Sequence, residues 1–244
     1  MRRIRTLVRV AAVPLAFITG CGLIAAATGT DPMLGVELMA LALTAAWLVL
    51  LGLGVRRAQA DAERLSDVSR PIGLAGADVR LLDASQPTAF VSGLLRPQIY
   101  LSRSLIDTLD ADELRGVLLH EQHHRRTRAP LRALALESWQ RLLDWLPPAR
   151  RALAARLASL EIEADAAAVA RGTAPATLAS ALLKCEAHLP GALSAFAAAP
   201  EIRIDALVAW GRQQRVDRHL SIPVEWVAPA SAAIALWACH VIGA

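Results

Sequence analysis

Residues 117–131 read VLLHEQHHRRTRAPL, with three histidines and a glutamate inside five positions. His120, Glu121 and His124 form an H-E-x-x-H pattern. On a helix, residues four apart are offset by only about 40° and stand one above the other, so two imidazoles can grip one cation. Glu121 projects about 100° further round, where it can take a proton from an activated water without ligating the metal. The competing reading is a solvated basic helix face, with Arg125, Arg126 and Arg128 beside the histidines. The apolar residues just before the motif count against it, because they bury one face of this helix. His123 lies three residues after His120 and offers an alternative H-x-x-H pair, but that register leaves no acid beside the water. It is read as an exposed or supporting residue.

A zinc site of this kind needs a third protein ligand and keeps a fourth position for water. The downstream stretch LEIEADAAA supplies Glu161 and Glu163. These lie about 200° apart round a helix, so only one can face the metal. Glu161 has Asp165 one turn below it, and a carboxylate there can accept the second ring N–H of a ligand histidine and fix its tautomer. Ala164 and Ala168 allow a close approach to the motif helix. Glu161 is therefore the expected ligand, and Glu163 the alternative. His188, His219 and His240 stand alone and are read as structural.

Around this motif, Asp110 followed by Glu113 forms a capping box that starts a helix running to about Arg128, and Pro130 restarts the chain. LRALALESWQRLLDWL predicts a second helix, stopped by Pro147 and Pro148. ARRALAARLASLEIEADAAAVARG predicts a third, with Gly172 as its C-cap, and residues 176–188 a fourth. Ahead of the motif, DVRLLD and QIYLS read as two short β-like runs, with TAFVSG between them. Pro97 directly before QIYLS suggests an edge strand. Residues 56–76 read as a polar helical extension ending near Pro71.

Of the 244 residues, 55% are hydrophobic, and the mean hydropathy is +0.40. That is too apolar for an ordinary soluble domain. Val10–Thr28, Leu38–Val55 (extended back to about residue 33, with Glu37 its one charge) and Trp226–Ala244 are each long enough to cross a bilayer core of roughly 30 Å as a helix. Arg2, Arg3, Arg5 and Arg9 precede the first span, Arg56 and Arg57 follow the second, and Arg212, Arg215 and Arg218 precede the third. Basic residues favour the cytoplasmic side. The expected arrangement is thus two spans (about 10–28 and 33–55), a cytoplasmic domain (56–225) and a third span (226–244) in the inner membrane, with the N-terminus inside. A signal-peptide reading of the first run leaves residue 56 on the same side.

The net charge of +4 resides largely in these flanking arginines and suits an anionic bilayer surface. No basic patch interleaved with aromatics points to nucleic acid, and none is expected as a partner. Of the three cysteines, Cys21 and Cys239 fall in apolar spans and Cys185 is alone between them, which excludes a disulfide framework or a thiolate metal site.

AFVSGLLRPQIYLSRSLIDTLDADELRGVLLHEQHH, followed by EIEAD, resembles the BlaR/MecR-type antirepressor family of membrane zinc metallopeptidases, and more distantly HtpX-like proteases and CAAX prenyl endopeptidases. The likeness runs from about Thr88 to Gly172. It implies one zinc ion per chain held by His120, His124 and Glu161, with Glu121 as catalytic base. It also implies an extended protein or peptide substrate pairing with Gln98, Ile99, Tyr100 and Leu101. The implied fold is mainly α: three transmembrane helices and a cytosolic, zincin-like α+β domain with a small β edge. The implied activity is endoproteolysis of a cytosolic protein such as a transcriptional repressor. Two departures stand out. Thr127 and Ala129 occupy positions where these relatives carry arginine and aspartate, and no Ser-x-x-Lys motif of a penicillin-binding sensor is present, so β-lactam sensing through an ectodomain is not expected. A catalytically degenerate, zinc-stabilised signalling or adaptor protein is the alternative. The oxyanion-stabilising group is unassigned among Tyr100, His188 and Arg203.

Overall fold

A computed structural model describes residues 32–74, 76–187 and 200–213. The spans expected at 10–28 and 226–244 lie outside these residues, as do His188, His219, His240, Cys21 and Cys239. The first described element is helix α1 (Pro32–Val68), within which Ala40–Val68 is long and apolar enough to cross a membrane. Leu41, Leu48 and Val49 are exposed on it.

Four strands follow: β1 (Ser69–Leu74), β2 (Ala77–Leu82), β3 (Ala89–Ser92) and β4 (Gln98–Ser102). They form one mixed sheet in the order β1-β2-β4-β3, with β2 and β4 parallel and the other pairs antiparallel. Two expectations are corrected here. The segment expected to end as helix and loop near Pro71 is strand β1, paired with β2 from Ser69 opposite Leu82 to Leu74 opposite Ala77. Pro71 is tolerated because β1 is an edge strand, where the missing N–H interrupts no second ladder. QIYLS, conversely, is not an edge. β4 has strand neighbours on both sides, so Gln98, Ile99, Tyr100 and Leu101 offer no free ladder to a substrate. Pro97 stands just before the strand and removes nothing from it. The uninterrupted apolar run was the better guide: Ile99, Tyr100 and Leu101 are all buried, as in a strand covered on both faces. Phe90 stacks on Tyr100 across the β3–β4 ladder at 5.3 Å.

Six helices complete the described chain: α2 (Arg103–Thr108), α3 (Ala111–Thr127), α4 (Ala129–Leu143), α5 (Pro147–Val169), α6 (Pro175–Ala187) and α7 (Pro200–Gln213). Pro147 does more than stop α4; it is the first residue of α5, where its missing N–H costs nothing. The capping box on α3 forms as expected. The Asp110 side chain accepts from the Glu113 N–H at 2.9 Å, and the Glu113 carboxylate accepts from the Asp110 N–H at 2.9 Å. Glu113 also ties α3 to α6, accepting from the Ser180 hydroxyl and the Lys184 ammonium, each at 2.6 Å. Burial opposes the charge of Glu113, but these donors outweigh it and hold the carboxyl below its usual range. At the other end of α3, Arg128 adopts the left-handed conformation (φ 51°) and Thr127 donates to the His123 carbonyl at 2.9 Å. That closes the α3–α4 joint without the arginine and aspartate of the resembling families, and Ala129 is buried in it.

The described residues divide into two compact units. One holds residues 32–52 and 138–152, where Trp47 stacks on Trp139 at 5.3 Å. The other holds residues 53–137 with the described part of 153–220. Its core is built from Val79, Ile99 and Leu101 of the sheet, Leu105 of α2, Val117 and Leu118 of α3, Ala168 of α5, Leu178, Leu182 and Cys185 of α6, and Leu207 of α7. Gly116 lets α3 approach α6. A Cβ there would lie 2.8 Å from a methyl of Thr173 and 3.2 Å from a methyl of Leu178. Gly116→Ala is therefore expected to destabilise the fold by about 1–3 kcal/mol through overpacking, seen as a lowered thermal-unfolding midpoint in detergent. An unchanged midpoint would show that the two helices part without loss.

Candidate metal centre

The apolar residues Val117 and Leu118 turn one side of α3 into the core, and the next turn of the same helix carries the polar motif inward with it. His120 and Glu121 are 0% and 1% exposed, and His124 is also buried. On α5, Leu160, Ala164 and Ala168 are buried, so small side chains bring this helix close while Glu161 and Asp165 reach across.

His120 Nε2 and His124 Nε2 lie 2.9 Å apart. Glu161 meets both, with one carboxylate oxygen 3.4 Å from His120 Nε2 and the other 3.5 Å from His124 Nε2. The ligand atoms of these three residues all lie within 4.8 Å of one another. Bond lengths of about 2.0–2.2 Å to a tetrahedral zinc ion imply ligand-to-ligand separations of ~3.3 Å, so the histidine-to-glutamate distances suit zinc. Glu163 faces elsewhere: its carboxylate takes Arg156 at 2.8 Å and Arg132 at 3.6 Å. Of the two candidate acids, Glu161 is the one beside the imidazoles.

Asp165 lies on the far side of His120, its Oδ1 2.8 Å from the ring Nδ1. A carboxylate accepts only, so Nδ1 carries the proton and Nε2 presents its lone pair to Glu161 and His124. The sequence did not reveal what anchors Asp165. Arg203, on α7, is 0% exposed and donates side-on, from Nε to Oδ2 at 2.7 Å and from Nη2 to Oδ1 at 2.6 Å. Its Nη1 is 3.4 Å from Glu161. The 3.4 Å approach of Nη2 to His120 Nδ1 sets two donors side by side on one oxygen and is not itself a hydrogen bond. The available signal was a lone arginine in the apolar helix PEIRIDALVAW, which gives no hint of its partner.

The carboxyl groups differ by their donors. For Glu161, burial disfavours the charge, but the His120 and His124 rings beside it prevail and hold it well below the usual range. Asp165 behaves alike, with burial outweighed by His120 and Arg203. Glu121 accepts a hydrogen bond from no described residue, and burial pushes it up to about 7. His123 is half-buried, and burial, then the neighbouring His124 and His120, push its ring down to about 4. Tyr100 is buried on Phe90, and burial raises its phenol.

This donor set fits a divalent cation. Glu161 and Asp165, both held below the usual carboxylate range, face the single buried guanidinium of Arg203, so with neutral imidazoles the cluster carries an excess of one negative charge, which a divalent cation would offset. Glu121 is buried next to this cluster, and neither of its carboxylate oxygens has a hydrogen-bond partner.

The family model of Peptidase family M48 matches residues 55–144. Over that stretch the chain is similar to the metallopeptidases of that family, which are typically zinc-dependent. It includes His120, Glu121 and His124 and stops before Glu161, Asp165 and Arg203, so those three rest on geometry. No solved structure matches the chain.

If Glu161 is a ligand and Glu163 is not, Glu161→Ala should lose bound zinc while Glu163→Ala keeps one ion per chain by elemental analysis of the purified protein. The opposite pattern would transfer the ligand role to Glu163.

Proposed function

We propose that the chain is a membrane-bound zinc endopeptidase that cleaves a cytosolic protein in regulatory proteolysis. The observation that carries this reading is the convergence of His120, His124 and Glu161 beside the buried, donorless carboxylate of Glu121. A zinc ion held by those three ligands supplies Lewis acidity to the scissile carbonyl and to a water molecule. Glu121 accepts a proton from the attacking water on a carboxylate oxygen and returns it to the leaving amine nitrogen. Asp165 keeps the His120 proton on Nδ1, which leaves Nε2 free to ligate.

An extended substrate pairs with β3, which takes the place of the discarded β4 edge in this reading. β3 has one strand neighbour among the described residues, and α3, the helix that carries His120 and His124, packs against it. The apolar helix Ala40–Val68, followed in its second half by Arg56 and Arg57, supports membrane attachment with the peptidase unit on the cytoplasmic side. The narrower likeness to BlaR/MecR-type antirepressors supports a transcriptional repressor as substrate. The degenerate-adaptor alternative draws on Ala129 in place of an acid and on the absence of a sensor motif; against the first of these, the α3–α4 joint closes through Thr127 and the left-handed Arg128.

Glu121→Ala should retain zinc near one ion per chain and lose proteolysis of a casein-type test substrate or of itself by at least about 100-fold, the scale of a lost general base. Cleavage at the parental rate by that variant would end the endopeptidase reading. Metal uptake by the parent with no cleavage of any substrate would favour the adaptor.

A further inference from the structure

We infer that Arg203 is a positioning residue of the metal centre, which makes α7 part of the site. The inference rests on the zinc reading above and deepens it. Arg203, Leu207 and Trp210 follow an i, i+4, i+7 spacing, the inward stripe of a helix. Leu207 is buried in the core and Trp210 packs against it, together with Ile204. An apolar residue is the ordinary occupant of the first position in such a stripe. Burying a guanidinium there is costly unless its donors are satisfied by an anion of matching shape.

The match is Asp165. Side-on pairing from Nε and Nη2 engages both carboxylate oxygens, at 2.7 and 2.6 Å, and so fixes the plane of that carboxylate as well as its position. Oδ1 then receives the His120 Nδ1–H from a set direction at 2.8 Å. One chain of contacts thus runs from the α7 backbone through Arg203 and Asp165 to the His120 ring and its ligating Nε2. A second contact, Nη1 to Glu161 at 3.4 Å, steadies the third ligand. With the Nε–Nη2 edge committed to Asp165 and no exposed surface, Arg203 is not placed to touch a substrate carbonyl. It acts through the ligands, not on the reacting atoms.

The test is zinc affinity of the full chain in detergent, by competition with a chromophoric chelator, with the visible spectrum of the cobalt-substituted protein as a second readout. Arg203→Met should weaken zinc binding ~10–100-fold, the range for lost partners of metal ligands, and should alter the cobalt bands. Arg203→Lys restores the charge but not the fork, and should fall between the parent and Arg203→Met. Because Arg203 acts largely through Asp165, adding Arg203→Met to Asp165→Asn should cost less than about threefold beyond Asp165→Asn alone. A purely structural arginine would lower the unfolding midpoint yet leave affinity and spectrum unchanged in folded protein, and that result overturns the inference. So does a full, independent loss in the Asp165→Asn background. Should Arg203→Met not fold, Arg203→Lys decides: parental affinity and spectrum would refute the positioning role, and weakened affinity supports it. A parent chain that takes up no zinc would instead remove the metal reading beneath it.

Discussion

Carboxylate charge gathered around two imidazoles and one buried guanidinium is the constraint on which this molecule turns. Glu121, Glu161 and Asp165 are brought together inside the protein with two imidazoles, and the buried guanidinium of Arg203 offsets part of that charge. Such a cluster is expensive to desolvate and stays assembled only where geometry and counter-charge make up the cost. The His120–Asp165–Arg203 chain supplies the first part. A divalent cation between His120, His124 and Glu161 would supply the second and turn a liability of folding into a Lewis-acid site.

The rest of the larger unit positions these groups. The Asp110–Glu113 box fixes where α3 begins, and Gly116 lets it sit close to α6. Val117 and Leu118 set its rotation, so that the following turn faces inward. The alanines of α5 allow Glu161 and Asp165 to reach α3 with short side chains. α7 brings Arg203 in from 38 residues beyond Asp165. The sheet packs against α3 through β3 and β4, and β3 is an edge strand among the described residues.

How much of this could be read in the residues follows from the range of the interactions. Local signals served well: the capping box, the H-E-x-x-H spacing, the proline breaks and the i, i+4 relation of Glu161 to Asp165 each depend on neighbours within a turn or two. Strand order did not emerge, because pairing is settled by contacts distant in sequence. Pro97 suggested an edge for QIYLS, although a proline just before a strand removes no ladder bond, and Pro71 disguised β1 as the end of a helix. Arg203 was missed as an anchor because nothing within its own helix distinguishes a buried arginine from a surface one; only the approach of α7 to α5 reveals its partner.

The account's central claim is tested most directly by X-ray absorption at the zinc edge on the full chain loaded with one equivalent of zinc. It predicts a four-coordinate site of nitrogen and oxygen ligands at about 2.0–2.2 Å, with the multiple-scattering pattern of two imidazoles and no sulfur. A spectrum of fully hydrated zinc, or one showing a single imidazole, would contradict it.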